Sequence, residues 1–136
     1  EKQDWIHTHR EKALAAAEQK AANRLTEAER KAVVKRAAQM LAEKTAHFAK
    51  EMGVTYGRIT IREQKTRWGS CSSAGNLNYN WKLVLMPERV MDYVVIHELA
   101  HRKEMNHSAR FYAVVAQQMP DYKVWQSWLK EHGREY

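Results

Sequence analysis

Hydrophobic positions follow helical spacing through the first third of the chain. Two Thr-x-x-Glu patterns, at residues 8–11 and 26–29, are typical of the capping boxes that open helices. They predict a first helix over about residues 9–24 and a second over about residues 27–52, which Gly53 should end. In the second helix, apolar side chains recur every three or four positions and form a stripe toward the core. Both helices are interpreted as scaffold.

The pattern then changes to alternation. Residues 58–62 and 77–83 alternate apolar with polar side chains, which predicts two half-buried strands. Residues 67–76 lie between them and are rich in Gly, Ser and Asn, so they predict a long turn. Helical spacing returns afterwards, with predicted helices that begin near Pro87, at Ser108 and after Pro120.

This order of elements indicates an α+β fold with N-terminal helices, a small antiparallel sheet and a C-terminal helical part. A length of 136 residues fits one domain with one hydrophobic core. We therefore expect a single domain over 1–136. Within it, 1–56 would be a helical scaffold, 57–119 would hold the strands and the central helices, and 120–136 would form the last helix.

Composition excludes several classes of protein. Hydrophobic residues make up 44% and charged residues 29%, which is ordinary for a globular protein. No apolar run approaches the roughly 18 residues that span a bilayer, and the polar first residues do not resemble a signal peptide. We expect a cytoplasmic protein with no membrane partner. Because the chain does not begin with Met, an upstream segment could be missing.

The single cysteine, Cys71, excludes an intrachain disulfide and a cysteine-rich zinc site. We expect a buried, unreactive thiol there, although a thiolate that inhibits a metal site is the alternative. The net charge of +7 is concentrated in residues 1–67, which carry 15 Lys and Arg against 9 Asp and Glu. This surplus could bind nucleic acid through the basic N-terminal helices. Its interleaving with Glu favours a solvated helical face instead.

The chemistry is concentrated in His97-Glu98-Leu99-Ala100-His101, an HExxH pattern. On a helix, His97 and His101 lie on one face, roughly 6 Å apart along the axis. Two imidazoles at that spacing can reach one zinc ion at about 2.0–2.1 Å. Glu98 projects about 100° around the helix from His97, so it lies beside the metal and could take a proton from its bound water.

A catalytic zinc ion usually has a third protein ligand and one open position. Glu104 shares the helical face, but it lies about 10 Å along the axis from His97, which is too far without a bend. His107 is the better candidate if the helix ends before it. Asn106 tolerates the left-handed conformation and could turn the chain there. The sequence therefore predicts one zinc ion per chain, held by His97, His101 and His107.

Four motifs together resemble the YgjP-like metal-dependent hydrolases, relatives of the SprT-like and WLM-type zincins. They are RWGSCS, LNYNWKL, PERVMDYVVIHELAH and HELAHRKEMNHSARFY, and they cover about residues 57–119. The resemblance implies a compact zincin-like domain. It also implies zinc at His97, His101 and His107, with Glu98 as the catalytic base.

Three further side chains are candidates for substrate binding. Arg67 could polarise a carbonyl oxygen or bind a substrate carboxylate, and a purely structural turn is the alternative. Asn78 and Asn80 lie on the polar face of the second strand, whose backbone could pair with an extended peptide if that strand forms the edge of the cleft.

The function that these residues predict is zinc-dependent hydrolysis of peptide bonds in a peptide or protein substrate. One alternative is a DNA-associated protease or DNA-binding domain of the SprT or WLM kind, acting on proteins bound to nucleic acid. Another is a domain in which zinc is only structural, against which the intact Glu98 argues.

Overall fold

One long helix, three strands and then three further helices follow one another along the chain in a computed structural model that describes residues 25–64 and 67–136. The predicted helix over residues 9–24 lies outside these ranges. The elements are α1 (Glu27–Met52), β1 (Ile59–Arg62), β2 (Gly69–Cys71), β3 (Leu77–Asn80), a 3-10 turn (Trp81–Leu85), α2 (Glu88–Ala100), α3 (Ala109–Gln118), α4 (Tyr122–His132) and a final 3-10 turn (Gly133–Glu135). The α+β class predicted from the sequence is confirmed.

Helix α1 begins and ends at the residues that the sequence predicts. The Thr26 hydroxyl accepts the Glu29 N–H at 3.1 Å, and the Glu29 carboxylate accepts the Thr26 N–H at 3.2 Å. Gly53 ends the helix in the left-handed region, with φ of 70°, which costs glycine little. Local capping chemistry alone therefore determines both ends of this helix.

The sheet differs from the prediction in two respects. The strand order is β1-β3-β2, with β1 parallel to β3 and β2 antiparallel to β3. The sheet is therefore mixed rather than antiparallel, and the predicted turn over residues 67–76 contains strand β2. Strand β2 consists of Gly69, Ser70 and Cys71, whose own propensity gives almost no strand signal. Pairing with β3, and not this propensity, makes them a strand.

The predicted strand over residues 77–83 ends at Asn80. The Asn80 side-chain oxygen accepts the Lys82 N–H at 3.0 Å and so caps the following 3-10 turn. Leu77 and Tyr79 lie on the buried face of β3, as the alternation predicts.

Helix α2 lies at the centre of the fold and packs against α1, β2 and α4. Ten of its thirteen residues are buried, among them Val94, Val95 and Ile96. Lys44 on α1 donates to Asp92 at 2.7 Å and to Glu88 at 2.8 Å, which joins the two helices at one end. Within the described ranges, no helix combines the length and apolarity needed to cross a membrane.

Candidate metal centre

The buried helix α2 positions the two histidines of the HExxH pattern. His97 and Glu98 lie in its last turn, and His101 is its C-cap, with helical φ and ψ of −65° and −14°. Because the apolar stretch before His97 is buried, the helix cannot rotate without exposing core side chains. The His97 and His101 rings have centroids 5.3 Å apart, so the two imidazoles lie side by side.

The connection between α2 and α3 brings the third histidine back. The N–H groups of Arg102 and Lys103 donate to Leu99 and Ala100 carbonyls at 2.9 and 3.0 Å, which tightens the end of the helix. His107 then reaches His101, with the two Nε2 atoms 3.1 Å apart. Its ring centroid is 5.0 Å from that of His97.

The predicted left-handed turn at Asn106 is wrong. Among the described residues, positive φ occurs only at Gly53 and Gly75. The helix ends six residues earlier, at Ala100, and the tightened turn after it reverses the chain without a left-handed residue.

Hydrogen bonds at Nδ1 define which nitrogen of each helical imidazole is free. The Nδ1 atom of His101 lies 3.3 Å from the Glu104 carbonyl, which can only accept, so Nδ1 carries the proton. Its Nε2 lone pair therefore points toward Nε2 of His107. The Tyr93 hydroxyl lies 3.3 Å from Nδ1 of His97 and can orient that ring in the same way.

The three imidazoles fit a metal ion. Their ligand atoms all lie within 4.8 Å of one another. The Nε2 contact of 3.1 Å between His101 and His107 is favourable only with a proton or a cation between the two lone pairs. Burial, and then the neighbouring His101 and His107, lower the pKa of His97 to about 3, and burial also lowers the pKa of His101. Both rings are therefore neutral at physiological pH, which is the form that binds metal.

Glu98 lies beside this cluster in a buried position, with 6% of its surface exposed. Burial raises the pKa of its carboxyl to about 8, against the opposing effect of the nearby Arg67 charge. A carboxyl group whose pKa lies this close to neutral pH suits proton transfer. Gly69 of β2 packs on it so closely that an added Cβ would lie 3.1 Å from the Glu98 side chain.

The three candidate substrate-binding residues, Arg67, Asn78 and Asn80, differ in exposure and in hydrogen-bond partners. Arg67 is exposed, and its charge acts on Glu98. Asn78 accepts from Arg62 at 2.9 Å and donates to Ser70 at 3.1 Å, which ties its side chain to both neighbouring strands. Asn80 is buried and donates to the Gln64 carbonyl at 2.9 Å.

The condition for peptide pairing at the strand that carries Asn78 and Asn80, an edge position, is therefore not met. Strand β3 is central in the sheet, and its backbone is paired on both sides. Peptide pairing at this strand is excluded, and the two amides hold the sheet together. Strand β2, which packs on α2 beside Glu98, is the edge strand nearer the histidines.

Two residues of the site were missed from the sequence. Tyr93 lies four positions before His97, so helical spacing alone could have placed it against that imidazole. Arg102 donates to the Thr55 carbonyl at 2.8 Å and to the Ser73 carbonyl at 3.4 Å, and it packs on Gly75. It thus fixes the chain directly after His101. No local signal reveals such distant partners.

The fold is shared with solved metallopeptidase structures. The zymogen of abylysin from Pyrococcus abyssi matches with a TM-score of 0.61 and 24% identity, over 69% of this chain and 96% of that one. The zymogen of jannalysin from Methanocaldococcus jannaschii matches with a TM-score of 0.52 and 20% identity, over 62% and 90% of the two chains. At these identities the similarity shows the fold alone. Curated proteins give no significant match.

The comparison with protein families defines the chain as a metallopeptidase domain. The family model that matches is described as the YgjP-like metallopeptidase domain, and it covers residues 1–132. The chain therefore belongs to the YgjP-like family, as its motifs indicate.

Proposed function

We propose that this chain is a zinc peptidase, in which His97, His101 and His107 hold one zinc ion and Glu98 is the general base. The observation that carries the proposal is the convergence of three imidazoles beside a buried carboxylate. Three neutral imidazoles with an open fourth position are a donor set of catalytic zinc. A zinc ion bound there would supply a Lewis acid for the scissile carbonyl and the attacking water, and its charge would lower the pKa of Glu98.

Glu98 moves the proton in this reaction. Its carboxylate accepts a proton from the attacking water while the water oxygen bonds to the scissile carbonyl carbon. The carbon–nitrogen bond then breaks, and Glu98 returns the proton to the departing amine. The carboxylate is largely buried, and close packing with Gly69 limits its movement. The proton therefore passes between fixed positions, and Glu98 ends the cycle in its starting state.

The test is the substitution Glu98→Gln, measured together with the zinc content. The amide keeps the size of the side chain but cannot accept the proton. We expect the cleavage of an unfolded protein to slow by at least about 100-fold, the lower range for general base catalysis. One zinc ion per chain should remain, because Glu98 is not a ligand.

Glu43→Gln, an exposed change on α1, is the matched control and should retain full activity. Cleavage by the Glu98→Gln protein within tenfold of the unaltered rate would exclude the mechanism. Loss of zinc in that variant would instead place Glu98 among the ligands.

A second candidate function is action on proteins bound to nucleic acid. The observation that favours it is a basic patch on α1, formed by Lys31, Lys35 and Arg36. All three are exposed, and none has an ion-pair partner within the described ranges. Arg30, by contrast, pairs with Glu63 at 2.8 Å and is not available in the same way.

Replacing all three residues of the basic patch with Ala tests this candidate. Each phosphate neutralised contributes a slope of about −0.9 to the log–log salt dependence of duplex binding. The triple variant should flatten that slope by up to about three units and leave the cleavage of a free peptide unchanged. Absence of duplex binding at low salt, or a slope that the substitutions do not change, would leave the plain peptidase.

A further inference from the structure

A pocket of about 160 Å³ opens directly beside Glu98. Helix α2 forms one wall with Tyr93, Val94, His97 and Glu98, and Leu129 of α4 faces it. Trp68 and Gly69 close the side toward β2. Two groups of the proposed reaction centre, His97 and Glu98, thus belong to the pocket wall. A substrate side chain in the pocket would sit next to the bond that is cleaved.

The remaining lining is apolar. The Trp68 ring, Val94 and Leu129 supply hydrocarbon surface, and the Tyr93 hydroxyl is near Nδ1 of His97. Among the lining residues, Glu98 is the one acidic group, and the set includes no Lys or Arg. An acidic substrate side chain would meet repulsion from Glu98. A basic one would pair with Glu98 and occupy the proposed base.

The depth of the pocket depends on the absence of a side chain at position 69. A Cβ built on Gly69 would lie 3.1 Å from Val94 Cγ1 and 3.1 Å from the Glu98 carboxylate. These distances leave no room for a larger residue without displacing the wall. Trp68 is also held from behind, because its ring packs so closely on Gly133 that a Cβ added there would lie 3.0 Å from the indole nitrogen.

We propose that this pocket binds a large apolar side chain on a residue flanking the scissile bond, so that the enzyme cleaves beside residues such as Leu, Met or Phe. This inference rests on the proposed peptidase function and names its substrate class. Since large apolar side chains are mostly buried in folded proteins, the substrates would be unfolded or extended segments.

In the first experiment, the zinc-loaded protein digests a peptide library and the cleaved bonds are identified. We expect enrichment of large apolar residues at one position next to the cleaved bond. In matched peptides, replacing that residue by Ala should lower kcat/KM at least about tenfold, within the range set by hydrophobic pockets. Replacing it by Lys or Asp should have a larger effect. Cleavage sites without a preference would overturn the proposal.

The second experiment changes the charge of the pocket. Leu129→Glu places a carboxylate on the wall opposite Glu98 and should lower the Leu-to-Lys ratio of kcat/KM at least about tenfold. Val124→Glu, a change at a 57% exposed position of the same helix, is the matched control and should keep the original ratio. An unchanged ratio in the Leu129→Glu protein, with the fold retained by circular dichroism, would place specificity elsewhere.

A binding measurement separates this inference from the proposed reaction. Fluorescence anisotropy of labelled Leu and Lys peptides on the Glu98→Gln protein reports affinity without turnover. Tighter binding of the Leu peptide, weakened by adding Leu129→Glu, supports the pocket even if cleavage fails. Equal binding of the two peptides would overturn it. Absence of cleavage by the unaltered zinc-loaded protein would count against the peptidase proposal alone.

Discussion

The contact between Gly69 and Glu98 allows a test of how the proposed base, Glu98, is held in place. In Gly69→Ala, the new Cβ would lie 3.1 Å from Glu98 Cγ, Glu98 Oε2 and Val94 Cγ1. Carbon atoms prefer separations of about 3.5–4.0 Å, so the neighbours must yield by roughly half an ångström. Val94 is 3% exposed and belongs to the core, and Glu98 is the side chain with more freedom to move. We therefore expect the carboxylate to be displaced.

The size of the effect follows from that displacement. A misplacement of about 1 Å at a reacting group can cost on the order of 100-fold in rate. If the activation free energy rises in proportion to the displacement, half that shift lowers the logarithm of the rate by half as much. This corresponds to a loss of about tenfold in kcat for Gly69→Ala. Overpacking at a buried position should also lower the free energy of unfolding by about 1–3 kcal/mol. Zinc content should not change, since the atoms nearest to the new methyl group belong to Glu98 and Val94 and not to any of the three histidines.

Gly53→Ala is the matched control. Gly53 has a φ of 70°, and a Cβ added to it would have no atom within 4 Å, so the change strains the backbone and creates no contact. Left-handed backbone costs an alanine about 1–2 kcal/mol, which is similar to the stability loss expected at Gly69. Comparing kcat and thermal unfolding of the two variants separates displacement of the base from general destabilisation. Equal kcat in both variants would refute the reasoning.

Two further predictions concern the metal centre and the cysteine. His107→Ala should weaken zinc affinity much more than Glu104→Ala, measured by competition with a chromophoric chelator; the reverse order would make Glu104 the third ligand. Burial, and then the nearby Glu98 charge, raise the pKa of Cys71 above its ordinary value. Cys71 is half-buried rather than fully buried. Since the thiolate is the reactive form, iodoacetamide near pH 8 should alkylate the folded protein several-fold more slowly than the protein unfolded in guanidinium, and equal rates would contradict the raised pKa.

Local chemistry explains which elements the sequence predicts well. The capping box at Thr26 and the left-handed Gly53 are interactions between residues within a few positions of each other, and both ends of α1 are confirmed. Ser108 likewise caps α3, accepting the Phe111 N–H at 3.4 Å. The mixed sheet was not predictable in this way. The register of β2 on β3 depends on which strand lies in the middle, and no pattern within Gly69–Cys71 encodes that.

In the candidate site too, features set by nearby residues were predictable and features set by distant segments were not. Spacing within one helix places His97, Glu98 and His101 together, and these residues lie where that spacing predicts. The assignment of the three histidines as ligands stays a prediction. The partners of Arg102 and the wall that Leu129 adds to the pocket come from segments far away in the chain. Side chains that face a site from such distances carry no periodic signal.

The Arg102 contacts mean that the position of the histidine cluster depends on segments far away in the chain, although the three histidines are close in sequence. The three histidines span only eleven positions, yet the residue after His101 donates to carbonyls 47 and 29 positions earlier in the chain. Chain segments this far apart meet only after loop-closure entropy has been overcome. The histidine cluster should therefore reach its final geometry late in folding. An excised segment carrying all three histidines would lack the contacts that hold the turn after α2, and would bind metal as a flexible peptide.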